Sequence, residues 1–163
     1  MFNYRLGIRS TYSTEQVRTK LLTILGVQNL TEVPQRWPAL EISVRYETEI
    51  TYPPGREMYI EELGAMATTQ VYYSVDNKIK DDDEFIRAEA VMFVSVAELV
   101  ERVDATAVFS FESGLVIMRR VNAVMHLSER WPWEVPDVLA RLQVTPVYHK
   151  ELESMVAIPP PPG

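Results

Sequence analysis

The chain has 163 residues, 47% of them hydrophobic and 24% charged, a balance that fits one soluble domain with a real buried core. Its formal net charge of −7 argues against non-specific nucleic-acid binding, which needs a basic surface, and the absence of cysteine excludes a disulfide scaffold and thiolate metal sites. No apolar run approaches the roughly 20 residues that cross a bilayer, and MFNYRLGIRS has no apolar signal-peptide region, so a cytoplasmic location without membrane contact is expected.

Taken in order, residues 2–9 alternate, with Phe2, Tyr4, Leu6 and Ile8 opposite Asn3, Arg5 and Arg9, as in a half-buried strand. Ser13 and Gln16 have capping-box spacing, Val17, Leu21, Leu22 and Leu25 form a helix face, and Gly26 is a natural stop. A loop with Pro34 and Pro38 follows, in which Trp37 reads as a cover over the core edge. Leu40 to Tyr52 alternates throughout and predicts one long strand, ended by Pro53-Pro54-Gly55 as a turn. Residues 56–66 fit either a short helix or an irregular loop, and residues 67–75 read as a strand.

The strongest helical pattern lies at 81–103, where Phe85, Ala88, Met92, Phe93, Val96, Leu99, Val100 and Val103 share one side. Asp81 and Glu84 have capping-box spacing, and the acids at Asp82 and Asp83 suit the positive end of the helix dipole. An antiparallel meander is expected next, through 105–111, 115–120 and 123–127, with turns at Glu112-Ser113-Gly114 and Asn122. Trp131-Pro132-Trp133 introduces a short helix through Val135, Val138, Leu139 and Leu142, and residues 143–158 read as an arm or a last strand. The order β-α-β-β-α-β-β-β-α implies an α+β fold, with an antiparallel sheet of five or six strands packed against helices 14–25 and 81–103. Residues 1–158 form that domain, and the proline-rich stretch 159–163 is a tail.

Chemistry is sparse. The two histidines read as a half-exposed structural residue in the meander, His126, and a surface residue, His149. HExxH, GxSxG, Walker A and GxGxxG patterns are all missing, so no catalytic residue, metal or cofactor is assigned. Asp81–Glu84 reads as a helix cap, because consecutive acids at a helix start point in different directions, unlike the alternate ligands of a calcium loop. Arg119 and Arg120 face opposite sides of a strand and read as edge protection rather than an anion site.

Charge is uneven: the first segment is basic, whereas 41–62 and 76–84 are acidic, with Tyr52, Tyr59, Tyr72 and Tyr73 within or near them. Exposed aromatics flanked by acids are a common make-up of a protein-binding patch. The candidate contacts are Glu49, Tyr52, Tyr59, Glu61, Glu62, Tyr72, Tyr73, Asp82 and Asp83, facing a basic protein partner. The alternatives are an assembly protein that self-associates through a sheet edge, and a small hydrolase or ligand-binding domain with a pocket between helix and sheet.

One resemblance runs through residues 1–135. In VDATAVFSFESGLVIMRRVNAVMHLSERW, the residues Asp104, Ala107, Phe111, Val116, Met118 and Arg119 resemble a helix-to-hairpin pattern of the Sit-type immunity proteins of bacterial polymorphic-toxin exchange. Thr14, Glu15, Gln16 and Val17 are similar to the family's first helix onset, and ISVRYETE at 42–49 to its central strand. The chain departs from the pattern at Ser113-Gly114 and Val121-Asn122. The resemblance implies a cytoplasmic antitoxin that binds and blocks one cognate toxin, and it identifies no binding residues.

Overall fold

The computed structural model describes residues 1–112, 114–131, 133, 139, 142 and 144–152. Strand β1, Phe2–Arg9, is the hub: it pairs antiparallel with β3, Thr69–Val75, on one side and with β4, Thr106–Phe111, on the other. The remaining strands are β2 (Leu40–Tyr46), β5 (Leu115–Val121), β6 (Val124–Ser128) and β7 (Val147–His149). Among the described residues the sheet therefore has seven strands, in the order β2-β3-β1-β4-β5-β6-β7, rather than five or six. The fold is α+β, and the added strand β7 runs parallel to β6. The short helix expected near 135–142 and the tail at 159–163 fall mostly or wholly outside the described residues.

Two helices cover the first face of the sheet. Helix α1, Thr14–Leu25, opens with the expected capping box between Ser13 and Gln16 and closes on Gly26 in the left-handed conformation. After it, the four-residue helix α2, Val33–Arg36, places Arg36 so that its guanidinium donates to Gly26 O at 3.0 Å and stacks 4.9 Å from the Trp37 ring. Trp37 thereby packs against the core edge, as expected. The long amphipathic helix, Asp82–Arg102, spans nearly the predicted range but starts differently: the Asp81 carboxylate accepts from Asp83 N at 2.9 Å, while Glu84 turns to Arg87 at 2.7 Å. That ion pair replaces the predicted reciprocal box.

The segment between β2 and β3 corrects two expectations. Strand β2 stops at Tyr46, because its only partner strand, β3, begins at Thr69 directly opposite. A 3₁₀ turn, Glu47–Glu49, follows, in which Tyr46 N donates to the Glu49 carboxylate at 2.9 Å. The two prolines do not form a turn but start helix α3, Pro53–Leu63. A helix's first N–H groups have no intrahelical partner, so proline costs nothing there and its fixed φ is already helical. The long helix 82–102 is accordingly α4.

Helix α3 lies on the second face, so the sheet is covered on both sides and the fold has three layers. The first face is apolar from edge to edge: Tyr4, Leu6 and Ile8 of β1, Val71 and Tyr73 of β3, and Ala107 and Phe109 of β4 pack under α1 and α4. Phe109 sits in an aromatic cluster, with ring centroids of Tyr4, Tyr73, Phe93 and Trp133 at 5.7, 6.0, 6.1 and 6.3 Å. The second face carries a small separate core in which Met58, Tyr59 and Leu63 of α3 meet Val108 and Val116. A register shift at Phe109/Ser110 leaves Ile117 as an extra residue in β5, and the two faces meet there.

Arg119 and Arg120 do face opposite sides of β5, but that strand lies inside the sheet, so edge protection is not their role. Arg119 donates to Glu62 of α3 at 2.6 Å, on the second face. Arg120 bridges Glu101 and Asp104 at 3.0 Å each and donates to Ala105 O at 2.7 Å, tying the end of α4 to the sheet. Both guanidiniums serve as fold-internal clamps rather than an anion site.

Candidate functional site

The second face is covered by α3 only in part, and the rest of it is polar. Alternation along β1, β2 and β3 brings Arg5, Arg45, Gln70 and Tyr72 to this side. In the register Arg5 lies opposite Tyr72 and Arg45 opposite Gln70, so both guanidiniums reach the Tyr72 ring, at 5.5 and 4.9 Å from its centroid. Each such cation–π contact contributes about 0.5–1 kcal/mol at a partly exposed site.

Between this face and the start of α3 lies a pocket of about 260 Å³. Its floor is Arg5, Arg45, Gln70 and Ser110, and its wall is Ile50, Tyr52, Met58 and Tyr59. Arg56 holds the wall in place by donating to Ile50 O at 2.8 Å. Tyr59 lies flat on Gly7, where a Cβ would come within 2.3 Å of the ring, so only glycine admits it. Its hydroxyl accepts from Gln70 Nε2 at 2.5 Å, and burial pushes its pKa up to about 12, so the phenol remains a hydrogen-bond donor at neutral pH. The two carboxylates at the rim are bound to backbone: Glu112 accepts from Asn3 N and Glu49 from Tyr46 N, each at 2.9 Å. The lining thus combines aromatic faces with fixed donors, and none of its residues is a histidine, lysine or cysteine.

The predicted contact residues divide three ways. Glu49, Tyr52 and Tyr72 stand at or beside this pocket, and Glu61 is exposed on α3. Tyr59, Glu62 and Tyr73 are buried: Tyr59 under α3, Glu62 against Arg119, and Tyr73 at 3.0 Å from the Ser95 hydroxyl of α4. Asp82 and Asp83 are exposed at the start of α4, which packs on the opposite face. The sheet therefore separates them from the α3 group. Sequence reasoning missed Arg5, Arg45 and Gln70; the alternation of β1 and β2 already placed the two arginines on the polar side, but nothing local joined strands 40 residues apart in the chain.

A second arrangement escaped the sequence as well. His126 Nδ1 and His149 Nε2 lie 3.0 Å apart across β6 and β7, within hydrogen-bond distance, so the two histidines form a pair. Among the described residues no group of three His, Asp or Glu side chains is placed to hold a metal ion, and no helix is long and apolar enough to cross a membrane.

The architecture is therefore three-layered α+β, with long-range ion pairs and a pocket on its polar face. A family model described as SitI3-like matches residues 2–137. The chain belongs to this SitI3-like family, as its resemblance to Sit-type immunity proteins implied. Neither the curated proteins nor the solved structures give a match.

Proposed function

We propose that the protein is an antitoxin: a non-enzymatic, cytoplasmic immunity protein that binds a basic cognate toxin and neutralises it. The observation that carries this reading is the family match over residues 2–137. The acidic balance of the chain supports it, since a net charge of −7 steers a basic partner into encounter. The contact surface is the α3 side, where Glu49, Tyr52 and Glu61 surround an aromatic pocket mouth. Tyr59 and Glu62 support that surface from beneath.

The test uses the tagged protein as bait in lysate of its native cells, at low and high salt, followed by co-expression of the captured partner with and without it. Capture of one basic protein, released by salt and toxic only when expressed alone, is the expected result. Recovery of the bait alone, or a partner equally toxic in its presence, overturns the reading. With the partner in hand, Glu49→Lys/Glu61→Lys weakens binding by about tenfold or more, whereas Asp82→Lys/Asp83→Lys on the other face changes it by less than about threefold. Equal losses in both pairs place the contact elsewhere.

A further inference from the structure

We infer that the pocket under α3 is a specific binding site for a carboxylate carried on an apolar stem. Some of its polar groups are satisfied within the fold and others are not. Arg5 donates to Glu112 O at 2.8 Å and so has guanidinium donors to spare. Arg45 makes no hydrogen bond or ion pair among the described residues; its contact is the Tyr72 ring. Both rim carboxylates accept from backbone N–H groups, Glu112 from Asn3 of β1 and Glu49 from Tyr46 of its own turn, and neither forms an ion pair with Arg5 or Arg45 among the described residues.

Three buried polar groups lie beside the arginines. Gln70, Tyr59 and Ser110 are 3%, 1% and 2% exposed and all line the pocket. One Gln70 N–H is given to the Tyr59 oxygen, so the Tyr59 O–H proton remains to be given, and the Ser110 hydroxyl has no hydrogen-bond partner among the described residues. A cation and two hydroxyl donors thus converge with no internal acceptor assigned to them. Such a set is complementary to an anion with two acceptor oxygens, because charge-assisted hydrogen bonds to a planar guanidinium are roughly twice as strong as neutral ones. The opposite wall, Ile50, Tyr52 and Met58, is apolar and wants a stem rather than a second charge. A volume of about 260 Å³ suits a group the size of an aromatic acid or a glutamate side chain, and is too small for a nucleotide. The site stands whether or not the chain neutralises a toxin.

The probe is sodium benzoate, titrated into the full-length ¹⁵N-labelled protein and followed by two-dimensional NMR, with benzamide as the uncharged control and N-acetyl-Phe-Glu-amide as an acidic residue on a chain. The expected result is saturable shifts of the Gln70 side-chain amide, the Arg45 Nε–H and the Tyr59 and Ser110 backbone amides. Benzamide binds about tenfold or more weaker, and Arg45→Gln loses about tenfold in benzoate affinity. Ser110→Ala, a smaller change on a different strand, weakens benzoate as well and serves if R45Q does not fold. Tighter binding of benzoate than of the peptide makes a free small acid the ligand; the reverse makes it an acidic residue of a protein partner. Absence of saturation with both acids, equal binding of benzamide, or unchanged binding by either variant overturns the inference. None of these readouts involves a toxin, so failure here leaves the antitoxin reading intact and failure there leaves this one.

Discussion

The two faces of the sheet are built from the same strands but solve burial differently. The first is a mainly apolar surface under α1 and α4, whose few buried hydroxyls pair locally, Tyr73 with Ser95 and Thr14 with Thr69. The second mixes a small apolar core with a Glu62–Arg119 ion pair and a pocket floored by arginines. Apolar burial is concentrated on the first face and the larger share of polar side chains on the second. A surface that must present fixed donors cannot also be a continuous core, since each buried polar group costs free energy unless it is paired.

That contrast can be broken most severely at its aromatic centre. Phe109→Ala removes a fully buried ring with four aromatic neighbours and is expected to cost about 3–5 kcal/mol, read as a lowered denaturation midpoint. On the second face, Arg119→Met leaves the Glu62 carboxylate, 0% exposed at its side chain, without its cation. The expected loss is about 2–3 kcal/mol, below the range for a fully buried pair because Arg119 keeps 18% exposure. Adding Glu62→Leu to that variant recovers stability in the same measurement, because two apolar groups replace an orphaned charge. A double variant no more stable than R119M shows that the pair is not the second face's anchor.

Smaller effects sharpen the comparison at the sheet's far end. The β5–β6 turn has both central residues at positive φ, Asn122 at 51° and Ala123 at 61°, the arrangement of a type I′ hairpin. Asparagine tolerates this and alanine does not, so Ala123→Gly is expected to stabilise by ~0.5 kcal/mol after the entropic cost of glycine, read by thermal denaturation. The smallest effect is a pH dependence. Partial desolvation, then the neighbouring His149 and Arg119, lowers the pKa of His126 below its ordinary value. The unfolded chain then binds the proton more readily, so the contribution is fully present above the unfolded pKa of about 6.5 and is lost as pH falls from there through the lower folded-state value. Denaturation midpoints at pH 7.5 and 5.5 should differ less in His126→Asn than in the parent chain.

The family relation and most of the elements were legible in the residues. Strand β1, the capped helix α1, the strand at Thr69–Val75, the long helix α4 and the β4–β5–β6 meander follow from local periodicity and capping, which depend on near neighbours alone. Helix α3 was not legible, because its buried side chains, Met58, Tyr59, Glu62 and Leu63, include a carboxylate whose burial makes sense only with Arg119 opposite. The overlong β2 failed for a related reason: alternation continues past Tyr46, but a strand ends where its partner does.

The candidate site divides along the same line. Composition and charge pattern singled out Glu49, Tyr52, Glu61 and Tyr72 as surface candidates, and the structure leaves all four exposed or half-exposed on the α3 side or at the pocket. Whether a tyrosine or glutamate in the same stretch points inward depends on what lies across the sheet, which is how Tyr59, Glu62 and Tyr73 came to be buried. By itself the sequence determined the α+β class, the element types and the acidic character, since these depend on residue chemistry and on spacings of two to four. Only the tertiary structure decided the strand order, the third layer, the histidine pair and the convergence of Arg5, Arg45, Tyr59 and Ser110. Each of those joins residues far apart in the chain, and long-range pairing is set by the packing of whole elements rather than by any local pattern.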